Sequence, residues 1–129
     1  INLALNFFQA IPYDELLSRT NSNGSGFAMP PGLLLANLGD CDTKSVALAS
    51  TLRTLFPRMR LMMVYVPGHA FIGFNLPPRP GDRTLNINGE TFVLAEPAGP
   101  AVIPVGQISQ DAESALQKGN GNYSYREVS

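Results

Sequence analysis

Residues 39–74, GDCDTKSVALASTLRTLFPRMRLMMVYVPGHAFIGF, change their hydrophobic period once. Between Cys41 and Phe56 the residues Ser45, Leu48, Leu52, Leu55 and Phe56 recur in steps of three and four, which predicts one face of a helix. Asp40 stands where an N-cap belongs, and Pro57 where the helix must stop. Beyond it RLMMVYV (60–66) and HAFIGF (69–74) are short, apolar and partly β-branched, which predicts two strands turned by Pro67-Gly68. A helix followed by an antiparallel pair is therefore the nucleus of the fold.

Working outward, residues 2–10 (NLALNFFQA) place Leu3, Phe7 and Ala10 at helical spacing, and Pro12 interrupts the pattern before Tyr13. The run TNSNGSGFAMPP (20–31) is too polar at its start and too proline-broken at its end for regular structure, and reads as a surface loop. Downstream, a proline-rich loop (PPRPGD, 77–82) precedes TLNI and ETFVLA, which flank Asn88-Gly89, the dipeptide that best supports a two-residue hairpin turn. After Glu96 the segment PAGPAVIPVG, with three prolines, is expected to be extended and edge-like, and 107–117 to form a last short helix. No internal repeat is visible. Helices first and an antiparallel meander afterwards make the α+β class.

With 129 residues, 44% hydrophobic and 15% charged, the chain suits a single domain spanning 1–129 around one core. Nine basic against ten acidic side chains leave no electrostatic footprint for nucleic acid or anionic lipid. No apolar run approaches the roughly 20 residues of a membrane span. An opening at Ile1 instead of Met suggests a domain cut from a longer precursor whose targeting segment is missing. The compartment is thus open, an envelope or secreted location being preferred to the cytoplasm. Oligomeric state is not legible.

One cysteine excludes an internal disulfide, and one histidine excludes the usual Cys/His zinc site. Cys41 is then either a small core residue or a nucleophile. Its predicted place in the first turn of a helix, among unpaired N–H groups at the positive end of the macrodipole, suits a thiolate. His69 follows Pro-Gly at the start of a strand, where flanking backbone can hold its ring. Glu96 ends the strand ETFVLAE just before Pro97. It is either a solvated strand-end acid or, if its strand lies beside that of His69, the carboxylate that fixes the imidazole tautomer.

These pieces resemble the bacterial transglutaminase-like domains of the papain-related cysteine peptidase superfamily. GDCDTKSVALASTLRTLFP looks like their nucleophile helix, with its Gly-x-Cys opening and following Lys. PGHAFIGF looks like their histidine strand, VLAEPAGP like the strand that carries Asp before Pro, and FFQAIPY like the segment preceding the nucleophile. The likeness reaches from about Phe7 to Gly106 and rests on order and spacing.

The resemblance implies a papain-type core, with the nucleophile helix packed on an antiparallel sheet. It also implies thiolate attack on an amide of a peptide or protein substrate through a Cys41–His69–Glu96 triad. A thioester acyl-enzyme would form and pass to water or to an amine, hydrolysis being favoured over transamidation. Glutamate in place of the commoner aspartate is one departure. The Cys41 backbone N–H is a natural oxyanion donor. For a second, Gln9 offers a side-chain amide and Tyr13 a hydroxyl, although Gln9 suits a solvated helix face as well. No cofactor is implied. Some relatives bind calcium through acids near the nucleophile, where this chain has Asp40 and Asp42, for which cap and first-turn dipole roles are expected. Lys44 either offsets these acids or is solvated. The alternative to an enzyme is a non-catalytic peptide- or protein-binding module that keeps the fold.

Overall fold

The computed structural model describes residues 1–17, 28–119 and 121–129. In chain order the elements are helices α1 (Asn2–Ala10), α2 (Pro30–Ala36) and α3 (Cys41–Leu55), then strands β1 (Leu61–Val66), β2 (His69–Phe74), β3 (Thr84–Ile87) and β4 (Glu90–Ala95). Helix α4 (Gln110–Lys118) and strand β5 (Ser124–Glu127) complete the α+β fold. Helix α3 begins where the sequence predicts, because an oxygen of Asp40 accepts the Thr43 N–H at 2.8 Å. It ends with the Phe56 N–H on Leu52, one residue before Pro57.

All strand pairings are antiparallel, in the order β3-β4-β2-β1-β5. The Asn88-Gly89 turn forms as expected, with φ of 53° and 84° at its two residues. The strands are nevertheless not a simple meander: β2 pairs with β4, and β3 lies outside β4 as an edge. Strand β5, not foreseen because SYRE is polar and fully exposed, pairs with β1 as the other edge.

Alternation along the strands divides the core between the two faces of this sheet. Met63, Ile72, Phe74 and Ala95 meet Leu5 and Phe8 of α1, Leu33 of α2 and Leu48 and Leu52 of α3. Met62, Val64, Phe71, Phe92 and Leu94 meet Ala112 and Leu116 of α4 on the other face. Leu48 and Leu52 have no exposed surface, and each such burial is worth about 2 kcal/mol.

Several expectations are corrected. The face that α1 buries is Leu5, Phe8 and Gln9, whereas Leu3 is 87% exposed and Phe7 56%. On α3, Leu55 and Phe56 project outward past the end of the sheet-facing stripe that Leu48 and Leu52 define. Pro30 and Pro31 open α2 in place of ending a loop, since proline in a first turn lacks only an N–H that the helix leaves unpaired. The predicted loop at 20–27 lies outside the described residues. Residues 97–106 form no strand and instead fold back over α1.

Candidate active site

Cys41 is the first residue of α3 and is partly exposed. Its thiol donates to a carboxylate oxygen of Asp42 at 3.9 Å and lies close enough to His69 to help raise that imidazole. Asp40 and Asp42 both have local roles. Asp40 caps the helix, and Asp42 sits in its first turn, its carboxyl raised by burial and by the neighbouring Asp40 charge. Among the described residues no group of three or more His, Cys, Asp or Glu is placed to hold a metal.

His69 opens β2 directly after the Pro67-Gly68 turn, in which Gly68 adopts a φ of 76°. It shares the strand face of Phe71, whose ring it meets edge-on at 4.8 Å. On the neighbouring strand, Glu96 continues the face of Phe92 and Leu94, which β2–β4 pairing brings alongside. His69 Nε2 and Glu96 Oε1 are consequently 2.7 Å apart. The sequence condition for Glu96 as third member, that its strand lie beside that of His69, is met by the strand order. Helix α3 packs on the opposite face, and its first residue reaches the imidazole at the end of the sheet where β2 begins.

The Glu96 carboxylate has a second anchor that was not foreseen. The Ser109 N–H donates to Oε2 at 2.7 Å and the Ser109 hydroxyl to Oε1 at 3.1 Å. The same hydroxyl accepts the Ala112 N–H at 3.2 Å, so Ser109 is also the N-cap of α4. Ser109 followed by Asp111 and Glu113 is a helix-start pattern that could have placed this boundary. Arg83 holds the helix in register through bonds of 2.8 and 3.1 Å to Glu113.

Burial by itself would push both partners toward their neutral forms. For His69, the hydrogen bond to Glu96, the nearby Cys41 and the Glu96 charge outweigh burial and hold the imidazole up at about 9. For Glu96, bonds from His69 and Ser109 outweigh burial and hold the carboxyl below its usual range. The pair is therefore imidazolium and carboxylate at neutral pH.

Gln9 requires a correction. It is fully buried, and its amide nitrogen donates to the carbonyls of Glu96 at 2.9 Å and Ile103 at 2.8 Å, while its oxygen accepts the Ile103 N–H at 3.2 Å. Both amide hydrogens are committed to backbone, so Gln9 has none for an oxyanion and is not on a solvated face. It clamps the chain around Glu96. Gly99 fits beneath it because a Cβ there would strike the Gln9 carbonyl.

Tyr13 stands at the rim. Burial and the negative charges of Cys41, Asp40, Glu15 and Asp42 raise its phenol, which keeps the hydroxyl protonated and able to donate. Lys44, one turn into α3, is fully buried instead of solvated. Its Nζ donates to the carbonyls of Ile11 and Ala98, each at 2.5 Å, and lies 5.9 Å from the Tyr13 ring centre. Burial lowers this lysine to about 8 against the opposing charges of Asp40 and Cys41. Lys44 thus ties the segment before Tyr13 to the segment after Glu96, behind the nucleophile.

An open groove of about 420 Å³ adjoins the centre, lined by His69, Glu96 and Ser109 and by Tyr13, Ala98, Pro100, Ala101 and Ile103. No protein-family model, characterised protein or solved structure matches the chain.

Proposed function

We propose that this chain is a thiol-dependent hydrolase or acyltransferase of transglutaminase-like, papain-related fold, acting on amide bonds of a peptide or protein. The observation that carries the reading is the 2.7 Å bond between His69 and the buried Glu96 carboxylate, with Cys41 at the start of α3 near enough to raise the same imidazole.

In this reading the reacting form of Cys41 is the thiolate. The thiolate adds to the amide carbonyl carbon, and the negative charge moves to the carbonyl oxygen. The Cys41 backbone N–H, at the helix start, and the Tyr13 hydroxyl, on the groove wall, are the candidate donors to that oxygen. His69 then gives its proton to the amide nitrogen as the C–N bond breaks, leaving a thioester and a free amine. Water next gives a proton to the neutral imidazole and its oxygen to the thioester carbon. The C–S bond breaks, and the products are a carboxylic acid and the restored thiolate–imidazolium pair. An amine in place of water completes a transamidation; the access that the open groove leaves to water supports hydrolysis.

Turnover of a peptide substrate by the wild type and three variants tests this. Cys41→Ala abolishes turnover, His69→Ala is nearly as damaging, and Glu96→Gln lowers the rate by about tens to hundreds of times. If Cys41→Ala stays active, the thiol mechanism is wrong; if the wild type turns over no peptide, the chain is a binding module that retains the fold.

A further inference from the structure

The groove beside the centre is not placed symmetrically about the reacting groups. His69, Glu96 and Ser109 line it and Cys41 does not, so it extends from the imidazole side. Apart from Asp111, the rest of its lining is mainly apolar, formed by Ala98, Pro100, Ala101 and Ile103 together with Tyr13. That wall is preformed. Gln9 holds Ile103 by its N–H and its carbonyl, and Lys44 holds the Ala98 carbonyl, both from fully buried positions. A ligand entering the groove therefore has little backbone to order. The charged side chain at the lip that takes no part in the Cys41–His69–Glu96 line is Asp111, exposed in the first turn of α4.

We propose that this groove receives the leaving-amine half of the substrate, and that the residue immediately after the scissile amide is apolar. The inference rests on the reaction proposed above. The imidazolium must deliver its proton to the departing nitrogen, so that nitrogen lies against His69 and its substituent runs into the space His69 borders. The apolar wall selects an apolar side chain there, because a carboxylate is desolvated against Ala98, Pro100 and Ile103 and meets the like charges of Glu96 and Asp111 in the same groove. Once released, the amine is an ammonium over much of the neutral range, and Asp111 is the complementary charge beside it.

Matched peptides that differ only in the residue after the scissile bond, leucine against aspartate, test the assignment. With wild type, kcat/KM is higher for the leucine peptide by about tenfold or more. Ala101→Asp, at an exposed position that leaves packing intact, and Ile103→Asp both bring that ratio toward one. A short peptide that begins with leucine, titrated into isotope-labelled wild type, shifts the amide resonances of 98–103 and the His69 ring, and its aspartate counterpart does not. Turnover without a leucine preference, or a preference that both variants retain, overturns the inference and leaves the thiol reaction standing. Absence of shifts at 98–103 overturns it as well. Cys41 alkylation that is indifferent to His69→Ala is the separate result that removes the reaction itself.

Discussion

His69 Nε2 and Glu96 Oε1 meet at 2.7 Å although 27 residues separate them in the chain. The contact exists because β4 lies between β3 and β2, so that its C-terminal end runs toward the first residues of β2. The carboxylate is held from its other side by Ser109, so the orientation of the imidazole is set by three elements: β2, the end of β4 and the start of α4.

The pH behaviour of this pair follows from its direction of shift. His69 is held at about 9 against an ordinary 6.5, so the stability it contributes is fully present below about 6.5 and is lost as pH rises through about 9. Glu96 is held below its usual range, and its contribution is lost on acidification beneath that range. In Glu96→Gln the His69 ring titrates nearer to 6.5, as read by imidazole NMR, and the stability advantage of wild type over this variant shrinks between pH 6.5 and 9. Ser109→Ala keeps the backbone donor to Oε2 and loses the cap, so it destabilises by about 1 kcal/mol in urea melts with a smaller effect on the His69 titration.

Gln9→Met separates a clamp from an oxyanion donor. The substitution preserves bulk and leaves the carbonyls of Glu96 and Ile103 and the Ile103 N–H without their partner, a loss of about 2–4 kcal/mol in chemical denaturation. Near 98–103, amide hydrogen exchange rises. Stability equal to that of wild type would mean that the Gln9 contacts do not hold this segment.

Lys44→Met isolates a buried ammonium. Because the folded lysine sits at about 8 and the unfolded one near 10.5, the folded state binds fewer protons between those values, and the part of stability that belongs to Lys44 rises with pH there. A neutral amine still has two N–H groups for the Ile11 and Ala98 carbonyls. The stability of wild type minus that of Lys44→Met therefore increases from pH 8 to 10.5. Parallel profiles for the two proteins would show that Lys44 is not held in a desolvated site.

Where local chemistry decides a feature, the sequence reads well. Asp40 and Pro57 mark the two ends of α3, and Asn88-Gly89 marks the β3–β4 turn, because a cap, a missing N–H and a positive φ are properties of a few adjacent residues. Cys41, His69 and Glu96 are singled out by residue type and by their places at element ends, and the fold brings those three together. What depends on the partner surface is less legible. Leu3, Phe7, Leu5 and Phe8 offer α1 two apolar stripes, and only contact with α3 and the sheet selects Leu5 and Phe8. The β2–β4 neighbourhood is a matter of topology, and no residue in either strand announces it. Gln9 and Lys44 look like surface residues in composition; their burial becomes intelligible only when the carbonyls of Ile11, Glu96, Ala98 and Ile103 are seen to need donors.

The account stands most directly on the rate at which iodoacetamide alkylates Cys41 as a function of pH, in wild type and in His69→Ala. Cys41 is the chain's one cysteine, so the signal has a single source. With a neighbouring imidazolium that persists to about 9, wild type reacts about tenfold or more faster than His69→Ala at pH 6 to 7, and the two rates converge above pH 9 as the histidine loses its proton. Superimposable profiles across the whole range would contradict it.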